Sequence, residues 1–331
     1  MGCAGSKPDE PEPRWPDSVN VAFDNIEITK WHTVPTIAAS PDGRILVCTT
    51  HHVPPHRVQP NEVQVAVGRV HAYAEGSSTG ELIIDHIKIP KWNIVPTIAV
   101  KPDGRILVCS NYSTTGYGDG WISRVHEFTE GATTGVLVID NIEIPKWTTV
   151  PTISVEPDGR ILICCNHGAP GQSGAMSWVG RVLRFTEGET TGELVASELV
   201  IDNIKTPQWG VVPTIAVRAD GRILVCSNFN VGKQGELPKW RGLVHEFPRE
   251  GTAAGTVGHL LIDNIKNPQW TAVSTIAIQP DGRILVCSNG AAGSAANGSR
   301  QWAGRIHSFP PEGALAALPA AAESMGAPLE V

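Results

Sequence analysis

Several features that would define common protein classes are missing from this sequence of 331 residues. No apolar run reaches the roughly 18 residues that a transmembrane helix needs, and no apolar stretch near the start would serve as a secretory signal. Basic residues are in the minority, with 26 Lys and Arg against 33 Asp and Glu. Because nucleic-acid binding needs a basic face, no nucleic-acid partner is predicted. We therefore expect a cytosolic chain with reduced thiols.

The sequence also lacks the spacing of a zinc site, because none of its seven cysteines forms a C-x-x-C pair. Three histidines lie close together at His51, His52 and His56, but Pro54 and Pro55 interrupt any regular ligand geometry. A solvated loop is the favoured interpretation of this segment. Neither a metal nor a cofactor is predicted.

What the sequence does contain is an internal repeat. The unit Trp-x-x-Val-Pro-Thr-Ile-(Ala/Ser)-x-x-Pro-Asp-Gly-Arg-Ile-Leu occurs five times, with small departures. Its tryptophans recur at intervals of roughly 55 to 62 residues, at Trp31, Trp92, Trp147, Trp209 and Trp270. Each unit also carries one cysteine, at Cys48, Cys109, Cys164, Cys226 and Cys287. A cysteine that recurs inside a strand is interpreted as a small core residue.

Each unit has the pattern of four antiparallel β-strands. Pro-Asp-Gly between the first two strands is the chemistry of a tight hairpin, and β-branched residues fill the strands. No segment shows a helical period of adequate length. In the second unit the predicted strands are Thr97–Lys101, Arg105–Ser110, Ser123–Thr129 and Val136–Asn141.

Five such units predict an all-β fold, a five-bladed β-propeller with four antiparallel strands per blade. The fifth unit lacks a fourth strand, and the segment Val19–Ile28 matches that missing strand. Pairing this N-terminal strand with the last blade would close the ring and remove both exposed edges. The predicted organisation is a flexible tether at 1–18, the propeller at 19–309 and a disordered Pro/Ala-rich tail at 310–331.

The segment Thr275–Val286 resembles the delta-60 type of β-propeller repeat, and Arg124–Phe128 is similar to the third strand of NHL and SMP-30/gluconolactonase-like blades. A tryptophan ahead of each Pro-Asp-Gly hairpin, five times over, also resembles the five-bladed tachylectin lectins. These resemblances support the propeller fold. They imply unrelated functions, because propellers host many activities.

Two segments of each unit are expected on one rim of the ring. One is the link between blades, which carries the five repeat tryptophans. The other is an inner loop between the second and third strands. It begins with a recurring asparagine, at Asn111, Asn166, Asn228 and Asn289. It ends with a second tryptophan, at Trp121, Trp178, Trp240 and Trp302.

Two interpretations of this rim remain open. The tryptophans could wedge between neighbouring blades as packing residues. Alternatively, each gap could be a ligand pocket in which tryptophan stacks on the ligand and asparagine hydrogen-bonds it. The first unit departs from the pattern, since Thr50 replaces the asparagine and Ala66 the second tryptophan.

Nothing in the sequence singles out catalytic residues. The blades look nearly interchangeable, no asymmetric set of carboxylates is evident, and no nucleophile motif occurs. An aspartate recurs in each unit, for example Asp85 and Asp140, and is predicted to close the fourth strand and cap the following turn. The chain is therefore predicted not to be an enzyme.

The first residues match an N-myristoylation pattern, with Gly2 as the acceptor and Ser6 at its favoured position. A single myristoyl chain binds membranes only marginally, so a second signal is needed. Cys3 is a natural palmitoylation site and would supply it. We therefore expect a chain that is lipid-anchored on the cytosolic side of a membrane.

The leading functional prediction is a monomeric, non-catalytic scaffold that presents a multivalent rim to a protein or glycan partner. A lectin-like module with one sugar pocket per blade is the first alternative. An SMP-30/gluconolactonase-like hydrolase is the second.

Overall fold

The computed structural model describes residues 20–27, 34–52, 66–77, 79–89, 95–113, 121–143, 150–170, 176–185, 198–205, 212–230, 240–249, 258–266, 273–294 and 300–312. These residues contain twenty β-strands in five separate antiparallel sheets of four. Within them, no helix has the length and apolar character to span a membrane.

Each blade is one of these sheets, and its strands are given from the innermost to the outermost. Blade 1 contains β2 (Thr36–Ala39), β3 (Ile45–His52), β4 (Ala66–Tyr73) and β5 (Glu81–Ile89). Blade 2 contains β6 (Thr97–Val100), β7 (Ile106–Ser113), β8 (Trp121–Phe128) and β9 (Val136–Glu143). Blade 3 contains β10 (Thr152–Val155), β11 (Ile161–Pro170), β12 (Met176–Phe185) and β13 (Glu198–Lys205). Blade 4 contains β14 (Thr214–Val217), β15 (Ile223–Asn230), β16 (Trp240–Phe247) and β17 (His259–Lys266). Blade 5 contains β18 (Thr275–Ile278), β19 (Ile284–Ser294), β20 (Arg300–Phe309) and β1 (Asn20–Glu27).

The five innermost strands contact one another in a closed circle, so the sheets form a five-bladed propeller. A ring of five hydrogen bonds links neighbouring blades at the start of these strands. In each, the hydroxyl of a buried threonine donates to a backbone carbonyl of the next blade. The bonds are Thr36 to Pro96 (2.6 Å), Thr97 to Pro151 (2.6 Å), Thr152 to Pro213 (2.6 Å), Thr214 to Ser274 (2.8 Å) and Thr275 to Pro35 (2.7 Å). The same bond is repeated at all five gaps, which confirms the predicted closure of the ring.

The N-terminal strand completes the last blade, as the sequence predicts. β1 pairs antiparallel with β20, from Asn20 opposite Ser308 to Glu27 opposite Ala303. Phe23 and Ile26 are buried in an apolar cluster that joins blade 5 to blade 1. The closing strand therefore contributes both backbone pairing and core packing.

Apolar side chains fill the gaps between adjacent blades in five clusters, one for each gap. The recurring cysteines lie in these clusters as free thiols, which confirms their interpretation as core residues. Burial raises the pKa of Cys48 to about 12, so its thiol stays protonated and unreactive at neutral pH.

Two details of the predicted blade were wrong. The second and third strands are longer than predicted and extend to Ser113 and from Trp121 in blade 2. The recurring aspartate does not close the fourth strand: Asp85 lies within β5 at a β-bulge, and its carboxylate accepts a 2.7 Å hydrogen bond from Arg69 on β4. The extra residue of a bulge turns this side chain toward its neighbour, so the aspartate forms an ion pair instead of a turn cap.

The alternating strand directions give the ring two distinct faces. One face carries the hairpin turns 40–44, 101–105, 156–160, 218–222 and 279–283, which join the first and second strands, together with the turns between the third and fourth strands. We call it the turn face. The opposite face, which we call the loop face, receives the segments that join the second and third strands and the links between blades.

Candidate functional site

The turn face carries buried charges that the sequence analysis missed. In blade 2, Lys101 follows the innermost strand and its Nζ lies 2.5 Å from Oε2 of Glu127 on β8. Arg105 contacts the other oxygen of the same carboxylate at 2.6 Å. Lys101 and Glu127 are both largely shielded from water, so this pair is stronger than an exposed ion pair but must also offset the cost of desolvation.

Blade 3 reverses the signs of this pair. Glu156 takes the position of Lys101 and is fully buried, and Arg184 takes the position of Glu127. Two hydrogen bonds join them, from Nε at 2.7 Å and from Nη2 at 3.0 Å. The fit is that of a bidentate arginine–carboxylate pair, the best-matched ion-pair geometry in proteins.

The remaining blades complete an unequal set. Blade 4 returns to the original signs, with Nε of Arg218 2.6 Å from Oε1 of Glu246. Blades 1 and 5 carry neutral residues at both positions, Ser40 with Ala72 and Gln279 with Ser308. The two positions change together from blade to blade. That joint change is visible in the repeat, and it corrects the expectation of interchangeable blades.

Ion pairs also connect blades across the turn face. Arg44 of blade 1 makes two hydrogen bonds, of 3.1 and 2.9 Å, to Glu130 of blade 2. Nη2 of Arg249 in blade 4 lies 2.8 Å from Oδ2 of Asp158 in blade 3. The guanidinium of Arg44 lowers the pKa of Glu130 through the hydrogen bonds it donates. Carboxylates held this way stay ionised and are unsuited to proton transfer.

The loop face holds the predicted rim residues whose backbone the structure describes. Trp121 and Trp240 begin the third strands of blades 2 and 4, and Trp178 and Trp302 are the third residues of β12 and β20. Their register partners are Ser113, Gly168, Asn230 and Ala291. Four tryptophans thus occur at the loop-face ends of four blades. They lie inside strands, whereas the sequence analysis assigned them to a loop.

The recurring asparagines also lie inside strands, two residues or more before the loop. Asn166, Asn228 and Asn289 pair with Gly180, Gly242 and Gly304. Asn111 is the one whose side chain is described: it is 3% exposed, and its Oδ1 accepts a 2.6 Å hydrogen bond from the hydroxyl of Ser123. In blade 2 this amide therefore links the second and third strands.

Small residues opposite the asparagines let neighbouring blades approach closely. A Cβ added to Gly304 would lie 2.9 Å from Cγ of Pro35 in the next blade, and one added to Gly180 would lie 3.1 Å from Cγ of Pro213. At the gaps after blades 1, 3 and 5 the proline of the Val-Pro-Thr link therefore covers the glycine of the preceding blade. The sequence contains both residues, but their contact across the gap is visible only in the folded ring.

The other predicted site residues lie outside the described part of the chain. These are the link tryptophans Trp31, Trp92, Trp147, Trp209 and Trp270 and the acylation residues Gly2 and Cys3. Their roles remain predictions.

No protein-family model matches this sequence, and no curated protein matches it either. Solved structures share its fold. An α-L-arabinofuranosidase from Fusarium graminearum, in complex with an iminosugar inhibitor, superposes with a TM-score of 0.53 at 9% identity, covering 87% of this chain and 98% of its own. An α-L-arabinanase from Penicillium chrysogenum, complexed with arabinobiose, gives 0.52 at 14% identity, covering 89% and 86%. At these identities the likeness establishes the propeller fold.

This comparison overturns the predictions of a non-catalytic scaffold and of a chain that is not an enzyme. Both of the rings described above are enzymes, an α-L-arabinofuranosidase and an α-L-arabinanase. Those two predictions rested on interchangeable blades, and the unequal charges in the ring show that the blades are not interchangeable.

Proposed function

We propose that this chain is a carbohydrate-active enzyme that hydrolyses glycosidic bonds in pentose-containing oligosaccharides at its loop face. The observation that carries the proposal is the occurrence of Trp121, Trp178, Trp240 and Trp302 at the loop-face ends of four blades. Indole rings provide large, rigid apolar surfaces on which sugar rings stack, and a few polar groups beside them fix the orientation of the ligand.

The shared fold supports the choice of substrate. The two enzymes with TM-scores above 0.5 are named for arabinose-containing substrates, and one was solved with arabinobiose. Arabino-oligosaccharides are therefore the first substrates to test. The resemblance to delta-60 repeats adds nothing to this choice, and membership of that family remains a prediction.

Glycoside hydrolysis of the usual kind needs two carboxyl groups, one as an acid and one as a nucleophile or base. On the turn face Glu127, Glu156 and Glu246 are held by basic side chains. We therefore assign the catalytic pair to the loop-face segments between second and third strands. Three of these segments contain one acidic residue each, namely Glu62, Asp119 and Glu236.

The test is an assay of the full chain on arabino-oligosaccharides, with the isosteric variants E62Q, D119N and E236Q. We expect two of the three to lower kcat by at least about 100-fold, the scale of lost general acid–base catalysis. The matched control is E81Q. Glu81 is an exposed carboxylate at the start of β5, on the turn face and away from the proposed site. If wild-type protein cleaves no pentose oligosaccharide, or if all three variants retain its rate, the proposal fails.

We also propose that Gly2 is myristoylated and Cys3 palmitoylated, which would bring the chain to the cytosolic side of a membrane as a monomer. The motif at the start of the sequence supports this proposal. Labelling with an alkyne-bearing myristate tests it, because signal should disappear in G2A. Fractionation of C3S should then show loss of membrane association while the myristate remains. Equal membrane association of wild type, G2A and C3S would contradict it.

A further inference from the structure

We propose that the turn face docks on a lipid bilayer through apolar side chains at the starts of the outermost strands of blades 1, 2 and 3. The inference deepens the proposed acylation and rests on it, since the acyl chain at Gly2 would deliver the protein to the membrane. It also assigns an orientation, in which the loop face and its proposed hydrolytic site point away from the lipid. We call these side chains the apolar perimeter: Leu82, Val136, Leu137 and Leu199.

The apolar perimeter contains the exposed large apolar side chains of the described part of the chain. Its four members are 37% to 71% exposed. Each is the first or second residue of an outermost strand, β5, β9 or β13. These strands begin at the turn face, because each follows a turn between the third and fourth strands. Exposed apolar side chains that share one face are typical of an interaction surface.

The outermost strands have the opposite character at the loop face. Their second residue is apolar in all five blades, at Val21, Leu82, Leu137, Leu199 and Leu260. Their last or next-to-last residue is charged in all five, at Glu27, Lys88, Glu143, Lys205 and Lys266. Because a bilayer surface takes up apolar side chains and leaves charged ones in water, the turn-face end of these strands suits lipid and the loop-face end does not.

Blades 1 and 2 join their parts of the apolar perimeter directly. The N–H of Gly131, in the turn that leads to Val136, donates a 3.0 Å hydrogen bond to the carbonyl of Ile83, the residue after Leu82. The guanidinium of Arg44 in blade 1 also bonds Glu130 of this turn. The apolar residues of the two blades are therefore held side by side along one edge.

The N-terminal segment enters the ring from the same face. β1 begins at Asn20, which pairs with Ser308 near the end of β20, and that end lies at the turn face. Residues 2–19 span at most about 60 Å when extended. An anchor on this segment holds the turn face near the lipid, because the chain would have to cross the outer edge of blade 5 before the loop face could approach.

The charge of the turn face favours neutral lipid. In all five hairpins Nε of the arginine bonds the aspartate two residues before it, at 2.5 to 3.1 Å. The chain also has a net charge of −7. Attraction to anionic lipid needs basic side chains in excess. We therefore commit to a zwitterionic bilayer, which the apolar perimeter contacts by burying its side chains among the lipids.

The first measurement is flotation of the full chain, myristoylated at Gly2, with phosphatidylcholine vesicles. L82S/L137S/L199S should lower the partition coefficient by at least about tenfold, because three apolar side chains no longer enter the lipid. The matched control K88S/E143S/K205S changes the opposite ends of the same three strands and should bind within about twofold of wild type. Adding phosphatidylserine should not strengthen binding.

The second measurement locates the contact without a variant. The full chain is coupled through Cys3 to a maleimide lipid in phosphatidylcholine vesicles, which is selective because the other six cysteines are buried. Docking is then tested whether or not Gly2 is acylated. Amide hydrogen exchange in the turns 74–77 and 129–135 should be at least about threefold slower than in the free chain. Exchange in the loop-face segments 53–65 and 231–239 should be unchanged.

The outcomes separate the docking from the acylation. No myristate on the wild-type chain by mass spectrometry would overturn the acylation at Gly2 and leave the docking to the coupled chain. Docking is overturned by unchanged exchange in the two turns, by slowed exchange on the loop face, or by a folded L82S/L137S/L199S variant that binds vesicles like wild type. A dimer of the free chain that this variant dissociates, measured by light scattering, would assign the apolar perimeter to a second copy instead.

Discussion

The turn face and the loop face of this ring are built from the same five repeats, yet they differ in how strictly each repeat is kept. On the turn face every hairpin joins its two strands with the same Asp-Gly-Arg geometry. In each, the aspartate accepts a hydrogen bond from the backbone N–H of the arginine two residues later, at 3.0 to 3.3 Å. On the loop face the segment between the second and third strands varies from 5 residues in blade 3, between Pro170 and Met176, to 13 in blade 1, between His52 and Ala66.

The uniform turn has a backbone cause. The glycine of all five hairpins has a positive φ, between 87° and 90°. Residues with a Cβ adopt this conformation only with strain, so the hairpin cannot change its length or sequence freely. The segments on the loop face, by contrast, differ among the blades in length and in their acidic residues. Regularity thus marks the hairpins of the turn face, and variation among the segments between second and third strands marks the candidate site.

The unequal ion pairs refine this comparison. Although the hairpins are alike in backbone, the first residue of each one differs: Ser40, Lys101, Glu156, Arg218 or Gln279. Each charged member is matched by an opposite charge on the third strand of its own blade. A blade assembled from strands of two different repeats would bury a charge without its partner. These pairs therefore favour the observed combination of strands over such mispaired blades.

Reversing one member of the blade 3 pair should have the largest effect on stability. E156K would bury a lysine against Arg184, and R184E would bury two carboxylates together, so each should cost about 3–5 kcal/mol. The double variant E156K/R184E recreates the Lys–Glu arrangement of blade 2 and should recover most of that loss. Urea unfolding of the four proteins measures the coupling. Additive losses in the double variant would show that the pair is not the source of the effect.

The threonine ring at the axis should be less sensitive. T275V removes the hydroxyl that donates to the carbonyl of Pro35 and leaves that carbonyl without this donor, at a cost of about 1 kcal/mol. T214V, at the gap where Ser274 replaces proline, should cost a similar amount. Chemical denaturation of both variants measures the two losses in the free energy of unfolding. A much larger loss in T275V than in T214V would mean that the closing seam depends more on this hydrogen bond than the gap between blades 4 and 5 does.

A smaller effect is expected from pH, and it separates the two kinds of titrating group. Burial lowers the pKa of His126, so the folded state binds fewer protons than the unfolded state and stability falls once the pH drops below about 6.5. The hydrogen bond from Arg160 lowers the pKa of Asp158, and stability from this group is lost only as the pH falls below about 3.8. Unfolding measured from pH 8 to pH 3 should therefore lose stability in two windows.

Variants assign those windows to their groups. H126Q should reduce the upper window and leave the lower one unchanged, whereas D158N should reduce only the lower one. If H126Q leaves the upper window intact, the other half-buried histidines, His71 and His245, must account for it.

Much of this fold could be predicted from the sequence because the determining signals are local and repeated five times. Pro-Asp-Gly specifies the hairpin, β-branched runs specify the strands, and the segment around Phe23 completes the last blade. The bulge at Asp85 could not be predicted, because it depends on pairing with Arg69 across two strands. The same is true of Pro35 over Gly304, a contact between residues at opposite ends of the chain.

The candidate site could be predicted less well, for a physical reason. Sequence repetition locates the tryptophans on one face, but catalysis depends on residues that differ among blades. The charges at Lys101, Glu156 and Arg218 look like ordinary surface variation until their partners Glu127, Arg184 and Glu246 are brought beside them. Glu62, Asp119 and Glu236 show no repeat signal at all and lie outside the described residues, so what they share is a place in the sequence between second and third strands.

The smallest stability effect should come from changing the loop face itself. Replacing residues 53–65 of blade 1 with the five residues 171–175 of blade 3 should alter the free energy of unfolding by only about 0.6–1 kcal/mol, because the entropy of loop closure changes slowly with length. Inserting two glycines into the hairpin 156–160 is the contrasting variant, and it should cost several times more by breaking the 2.9 Å bond from Gly159 N–H to the carbonyl of Glu156.

The shortened loop also removes Glu62, so hydrolysis of arabino-oligosaccharides should fall while stability is kept if that residue is one of the catalytic pair. Equal destabilisation by the two variants would mean that the segments between second and third strands stabilise the fold as much as the hairpins do, and the distinction between structural hairpins and variable functional segments would have to be abandoned.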